Sequence, residues 1–111
     1  MRKNFGATAL LYPMPVLIIG TYNKDNSANA MNAAWGGIAD DKKISICLSK
    51  EHKTVENILE RKAFTVSVGT VKSVTACDYV GIVSGNKEAN KFEKAGFHAE
   101  RSEFVDAPLI K

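Results

Sequence analysis

Hydrophobic and polar positions change rhythm several times along this chain. Val16-Leu17-Ile18-Ile19-Gly20-Thr21 is apolar from Val16 to Ile19 and β-branched at Val16, Ile18, Ile19 and Thr21, which predicts a buried strand. Pro13 and Pro15 punctuate its entry, and Asn23-Lys24-Asp25-Asn26-Ser27 follows it as a polar turn. The next stretch, NSANAMNAAWGG at 26–37, fits neither rhythm. It holds too many amides for a comfortable helix and is too polar and Gly-rich for an ordinary core strand, so both loop and strand stay open. Asp40-Asp41-Lys42-Lys43 marks a second turn. Ile44, Ile46 and Leu48 then alternate with Ser45, Cys47 and Ser49, and further on Phe64, Val66 and Val68 alternate with Thr65, Ser67 and Gly69. Each is a strand with one apolar face.

Helical spacing appears between and after these strands. Val55, Ile58 and Leu59 fall at i, i+3 and i+4, with Thr54 or the residue before it as the cap. Val74, Cys77 and Val80 predict a second short helix, with Thr75 near its start and Ser84-Gly85-Asn86 as its break. Ala89, Phe92 and Ala95 lie at spacing three, flanked by Glu88 and Lys91 and stopped by Gly96, which is the clearest helix of the chain. Residues 97–111 form a mixed tail. Strands joined across short turns imply an antiparallel sheet rather than βαβ units.

Length and composition narrow the class. A chain of 111 residues, 45% hydrophobic and 24% charged, is expected to be one globular domain spanning 1–111. The net charge of +3 suits a phosphorylated small molecule or an acidic partner and is too weak and dispersed for nucleic acid. No apolar run reaches the roughly 18–20 residues of a membrane span, and Tyr12 and Pro13 break the N-terminal apolar stretch, so no signal peptide is read and the cytoplasm is the expected compartment. Cys47 and Cys77 show no CxxC or Cys/His spacing. Two free, partly buried thiols are expected, with a disulfide or redox pair as the alternative.

The candidate chemistry lies in two segments. Neither GxGxxG nor GxxxxGK[ST] is present. Ser49-Lys50-Glu51-His52-Lys53-Thr54 leaves a strand and enters a helix, where free N–H groups, two hydroxyls and the Lys53 cation suit a phosphate. The plainer alternative is a capped helix with a solvated charge run. His52 is one of two histidines, neither at metal-ligand spacing, and no nucleophile-elbow pattern occurs, so neither a metal site nor a catalytic side chain is expected. In NSANAMNAAWGG the asparagines suit an edge that mixes C=O and N–H groups, the small residues let backbone approach a flat ligand, and Met31 and Trp35 offer apolar contacts. Tight packing against a neighbouring element explains the small residues equally.

Taken in order, PMPVLIIGTYNKDNSANAMNAAWGG, ISICLSKEHKTVENI, AFTVSV and CDYVGIVSGNKEANKFEKAGF resemble the flavin reductase-like family, and most closely its flavoredoxin-type members. The resemblance covers roughly residues 10 to 110. It implies a mainly β fold with short helices: the FMN-binding split β-barrel, antiparallel and Greek-key-like, here incomplete at the C-terminus because the family's chains run further. It also implies the cofactor FMN, held at a homodimer interface. Asn29, Ala30, Met31 and Asn32 match the segment lining the isoalloxazine, with Trp35 beside it. Leu48, Ser49, His52, Lys53 and Thr54 match the strand exit and turn that hold the ring edge and phosphate, and Ser84, Gly85 and Lys91 match a segment near the flavin. The implied function is electron transfer from NAD(P)H or a redox partner through FMN, without nucleic acid or membrane. Two alternatives are an FMN-holding carrier that never meets NAD(P)H and an assembly domain that has lost flavin.

Overall fold

The computed structural model describes residues 1–111. Along the chain lie β1 (Leu17–Tyr22), β2 (Ala28–Ala33), β3 (Gly36–Asp40), β4 (Lys43–Ile46), α1 (Lys53–Arg61), β5 (Thr65–Val68), α2 (Val74–Ile82, entered through a 3-10 turn at Val71–Ser73), α3 (Lys91–Lys94), β6 (Ala99–Arg101) and β7 (Pro108–Ile110). They form three antiparallel sheets, ordered β2-β1-β5, β3-β4 and β6-β7. The fold is mainly β with short helices, and the barrel is not closed. No helix is long and apolar enough to cross a membrane.

β1 is a continuous apolar run because both of its faces are covered. Ile18 packs with Ala30, Cys77, Val80 and Phe92 on one side. Leu17 and Ile19 pack with Met31 and Ala33 on the other, bordered by Ile46, Leu48, Ile58, Phe64 and Val66. Alternate side chains thus feed two core clusters, as a strand's period of two requires. Of the two cysteines, Cys77 is buried and Cys47 exposed, and both are free thiols.

β2 resolves the open stretch. Residues 28–33 are a strand paired with β1 in the register Ile19↔Met31, Gly20↔Ala30 and Thr21↔Asn29, and Asn29, Ala30, Met31 and Ala33 are buried. The expectation that this stretch is too polar for a core strand is corrected. The buried asparagine has hydroxyl partners, and the small residues let α2 lie close. A Cβ added to Gly81 of α2 would come within 2.9 Å of Asn32 Cβ.

Four local expectations also change. The helix expected around Phe92 is the least developed of the three, a single turn at Lys91–Lys94. Ser84 O accepts the N–H groups of Lys87 and Glu88 in a turn before it, and Ala89 and Asn90 form a further turn, so helix begins only at Lys91. Thr54 does not cap α1. His52 takes the N-cap position without a side-chain bond, and Thr54 sits inside the first turn, 1% exposed. The residues from Gly36 form a strand, β3, and the mixed tail contains β6 and β7. β7 is seated by the Thr65 hydroxyl, which donates to Pro108 O.

Candidate functional site

α1 has two stripes. Val55, Ile58 and Leu59 form the apolar one, yet Leu59 is exposed and only Ile58 borders a core cluster. The side that faces the sheet carries Thr54, Asn57 and Arg61, at i, i+3 and i+7. Sequence reasoning gave Thr54 a role as cap or phosphate contact and singled out neither Asn57 nor Arg61. Their spacing on one helix face was the signal that could have found them.

These polar side chains meet the start of the sheet in a buried network. Asn57 Nδ2 donates to Asn23 Oδ1 at 2.8 Å and to Thr21 Oγ1 at 3.0 Å. Asn29 Nδ2 donates to Thr54 Oγ1 at 3.0 Å and, at 3.4 Å, to Thr21 Oγ1. Thr21, Asn29, Thr54 and Asn57 are each no more than 3% exposed. Buried polar groups are costly without partners, and here each residue partners the next, with Asn57 Oδ1 alone enclosed and unpaired. Arg61 closes the outer end. Its Nη2 donates to Asn23 O at 2.6 Å and Asn26 Oδ1 at 2.7 Å, its Nη1 pairs with Asp106 at 3.1 Å, and its guanidinium lies over the Tyr22 ring at 5.7 Å.

At the inner end is a cavity of about 100 Å³. His52, Lys53 and Thr54 wall it from the start of α1, Val80–Val83 from the end of α2, and Ser84 and Gly85 from the loop beyond, with Met31 and Lys91 completing the lining. Gly85 is required by this approach. A Cβ there would stand 2.7 Å from Asn29 Oδ1 and 3.1 Å from Lys53 Cβ. Asn86 Nδ2 donates to Glu51 O at 2.9 Å and ties the two loops together.

The electrostatics favour an anion. The N–H groups of Lys53 and Thr54 have no acceptor within the chain, while those of Val55 and Glu56 turn to His52 O. Lys53 Nζ pairs with Glu56 at 2.9 Å and remains part-exposed. Lys91 is 4% exposed, and its amine donates to Val83 O at 3.0 Å and Val80 O at 3.2 Å. It closes the carboxyl end of α2, where a cation is favoured. Burial pushes its pKa down to about 8.

The sequence-predicted residues therefore divide. Met31, His52, Lys53, Thr54, Ser84, Gly85 and Lys91 line the cavity, and Asn29 stands behind Gly85. Ala30 lies in the core. Asn32 donates to Cys77 O at 3.3 Å and faces a different depression, with Val16, Gly69 and Val74. Leu48 borders the second core cluster, Ser49 is exposed, and Trp35 is exposed on the way into β3. The Val80–Val83 wall was not anticipated, because a helix's last turn carries no sequence sign of facing a cavity.

Residues 9–111 match the family model described as flavin reductase like domain. The structure of flavoredoxin from Desulfovibrio vulgaris (Miyazaki F) superposes with a TM-score of 0.91 at 41% identity, covering 99% of this chain and 61% of that one. The FMN-binding domain of a flavin reductases-like enzyme from Shewanella baltica OS155 gives a TM-score of 0.79 at 28% identity, covering 86% of this chain and 51% of that one. A protein of Aquifex aeolicus (strain VF5) is 29% identical over 112 residues, 92% of this chain and 55% of its own length. The chain thus spans little more than half of these relatives. With nearly its whole length matched by the family model and its fold shared with a flavoredoxin, it belongs to the flavin reductase-like domain family.

Proposed function

We propose that residues 1–111 act as one domain, the FMN-holding part of a cytoplasmic, homodimeric flavoprotein of the flavin reductase or flavoredoxin type. It passes electrons from NAD(P)H or a redox partner through FMN. The observation that carries this reading is the convergence of three segments, around Asn29, Lys53-Thr54 and Ser84-Gly85, on one cavity at the start of α1. The donor set fits one end of FMN. Two free N–H groups, a helix N-terminus and the Lys53 ammonium suit a phosphate. Enclosing a whole drug-sized ligand takes roughly 300–1,000 Å³. The cavity of about 100 Å³ therefore grips a part of FMN, and in this reading a second copy supplies further walls.

The isoalloxazine supplies the redox chemistry when bound. The chain's own residues bind and orient. Lys53 and the start of α1 hold the phosphate, Gly85 lets the loop after α2 close against Asn29 and Lys53, and Lys91 fixes the end of α2 that forms one wall. No side chain is assigned a proton transfer. Purified protein should show a flavin absorbance spectrum or quench FMN fluorescence on titration. Colourless protein with no quenching would sink this reading. Lys53→Ala should weaken FMN binding about tenfold, near 1.4 kcal/mol, while changing riboflavin binding little. Equal losses for both ligands would remove Lys53 from the phosphate role.

A further inference from the structure

The chain before β1 is an arm that its own molecule does not support. Residues 1–13 are all exposed, and the hydrogen bonds that hold them are local: the Gly6 N–H donates to Asn4 Oδ1, and the Thr8 N–H and hydroxyl donate to Gly6 O and Phe5 O. The first tie to the body is Val16 O, which accepts the Gly69 N–H at 3.0 Å. Yet the arm is apolar. Phe5, Leu10, Leu11 and Tyr12 are exposed along it, and apolar groups gathered on one exposed segment mark a surface that meets something. Pro13 and Pro15 stiffen the root where the arm leaves the sheet.

A matching groove lies beside that root. It measures about 350 Å³, and Val16, Val71, Val74 and Cys77 give it an apolar lining, with Val71 and Val74 exposed. Asp78 is the only charged residue that lines it, and this carboxylate has no ion pair. The arm carries the opposite charge. Arg2 and Lys3 are also unpaired, and no acidic residue precedes Asp25. An apolar arm tipped by cations thus answers an apolar groove that holds one carboxylate, and both are on the same chain. The eleven residues from Phe5 to Val16 span up to roughly 36 Å when extended, more than the 29 and 27 Å widths of the molecule. Reciprocal exchange counts every arm contact twice. An aromatic side chain buries about 150–250 Å², so two arms with their leucines and the surface they cover reach the roughly 1,600 Å² of a specific interface. A lipid surface fits less well. The arm is not helical, so its backbone groups would enter hydrocarbon unpaired, and two cations fall short of the roughly four to eight of a site for anionic lipid.

We propose that two copies of this chain exchange their arms, residues 1–15 of each crossing to the other, with Phe5 seated in the second copy's groove and Arg2 and Lys3 beside Asp78 of the partner subunit. Exchange of an identical element between two copies closes as a symmetric pair, because each copy offers one arm and one groove. This rests on the homodimer of the reading above and names the element that builds it.

Analytical ultracentrifugation of the full chain tests this with Phe5→Asp in the arm, Val74→Asp in the groove and Leu59→Asp on the exposed side of α1 as the control. The unmodified chain should be a dimer. Phe5→Asp and Val74→Asp should each weaken the dimer at least tenfold, and Leu59→Asp should leave it unchanged. If circular dichroism shows that Val74→Asp does not fold, Phe5→Asp decides alone, because residue 5 is exposed in its own chain. A dimer of unchanged strength in Phe5→Asp overturns the exchange and leaves the homodimer standing. A monomeric unmodified chain overturns both, while FMN titration reads the flavin part of the reading separately. A disulfide then locates the contact. With Cys47, the exposed thiol, changed to Ser, a chain carrying Phe5→Cys is mixed with one carrying Val74→Cys. Oxidation should link the two chains. If they stay unlinked, or if one chain carrying both cysteines closes the bond within itself at high dilution and high concentration alike, the exchange is overturned. Flotation with phosphatidylserine–phosphatidylcholine vesicles covers the other occupant: vesicle binding that Phe5→Asp abolishes, with self-association unchanged, assigns the arm to lipid and overturns the proposal.

Discussion

The sheet β2-β1-β5 and the ribbon β3-β4 each contain a strand of alternating sequence, β5 and β4, yet end in opposite surroundings. In the sheet, Ile18 is 2% exposed and Ile19 wholly buried, because helices and neighbouring strands cover both faces of β1. In the ribbon, Ile38 is 89% and Ile44 50% exposed, and the hairpin packs neither face fully. Period two states that a segment is a strand with an apolar side. It does not state that anything lies against that side. What separates the regions is long-range company: α1, α2 and β7 all gather on the sheet.

The sharpest way to break this comparison is a matched truncation. Ile18→Ala should cost about 2–5 kcal/mol, and Ile38→Ala should stay within about 0.5 kcal/mol, by denaturant unfolding. Similar costs would mean that the ribbon is packed in solution. A second pair adds a methyl group instead of removing mass. A Cβ at Gly20 would meet Thr65 Oγ1 at 2.5 Å and Pro108 O at 2.8 Å, while one at Gly37 meets nothing within 4 Å. Gly20→Ala should destabilise by about 1–3 kcal/mol by displacing β7, and Gly37→Ala should be nearly silent. A silent Gly20→Ala would show that β7 is not held where its contacts with β1 and β5 place it.

The smallest effect is one of pH. The Lys91 amine has a pKa of about 8 in the folded chain against an ordinary 10.5. Between these values the unfolded chain holds the extra proton, so this group makes stability rise with pH across that window. Lys91→Met should flatten the rise relative to the unmodified protein in pH-dependent melts. Lys43→Met on the ribbon, where the side chain is 74% exposed, is the control. Identical slopes for unmodified protein and Lys91→Met would place the Lys91 amine in water.

The same contrast explains what was legible in the sequence. β1, β4 and β5 were, because β-branched runs and alternation are local signals. β2 was ambiguous because Asn29 and Ala30 are buried for reasons that lie elsewhere: Thr54 is 25 residues further on, and α2 begins only at Val74. The helix at Phe92 looked strong on spacing, yet Lys91 turns inward to cap α2, and a lysine gives no local sign of doing so. β6 and β7, three residues each, are too short for any period. At the site, the three converging segments were visible as motifs. Their hydrogen-bond polarity was not, because Asn57 gives no local sign of burial and the partners of Thr21 lie on other elements.

The single tryptophan, Trp35, stands 55% exposed at the threshold of the ribbon. Its emission therefore reports on the ribbon's surroundings, whereas far-ultraviolet circular dichroism is weighted toward the helices and the three-stranded sheet. A melt followed by both probes observes two different neighbourhoods of one chain. Coincident transitions would mean that the ribbon and the sheet unfold as one cooperative unit.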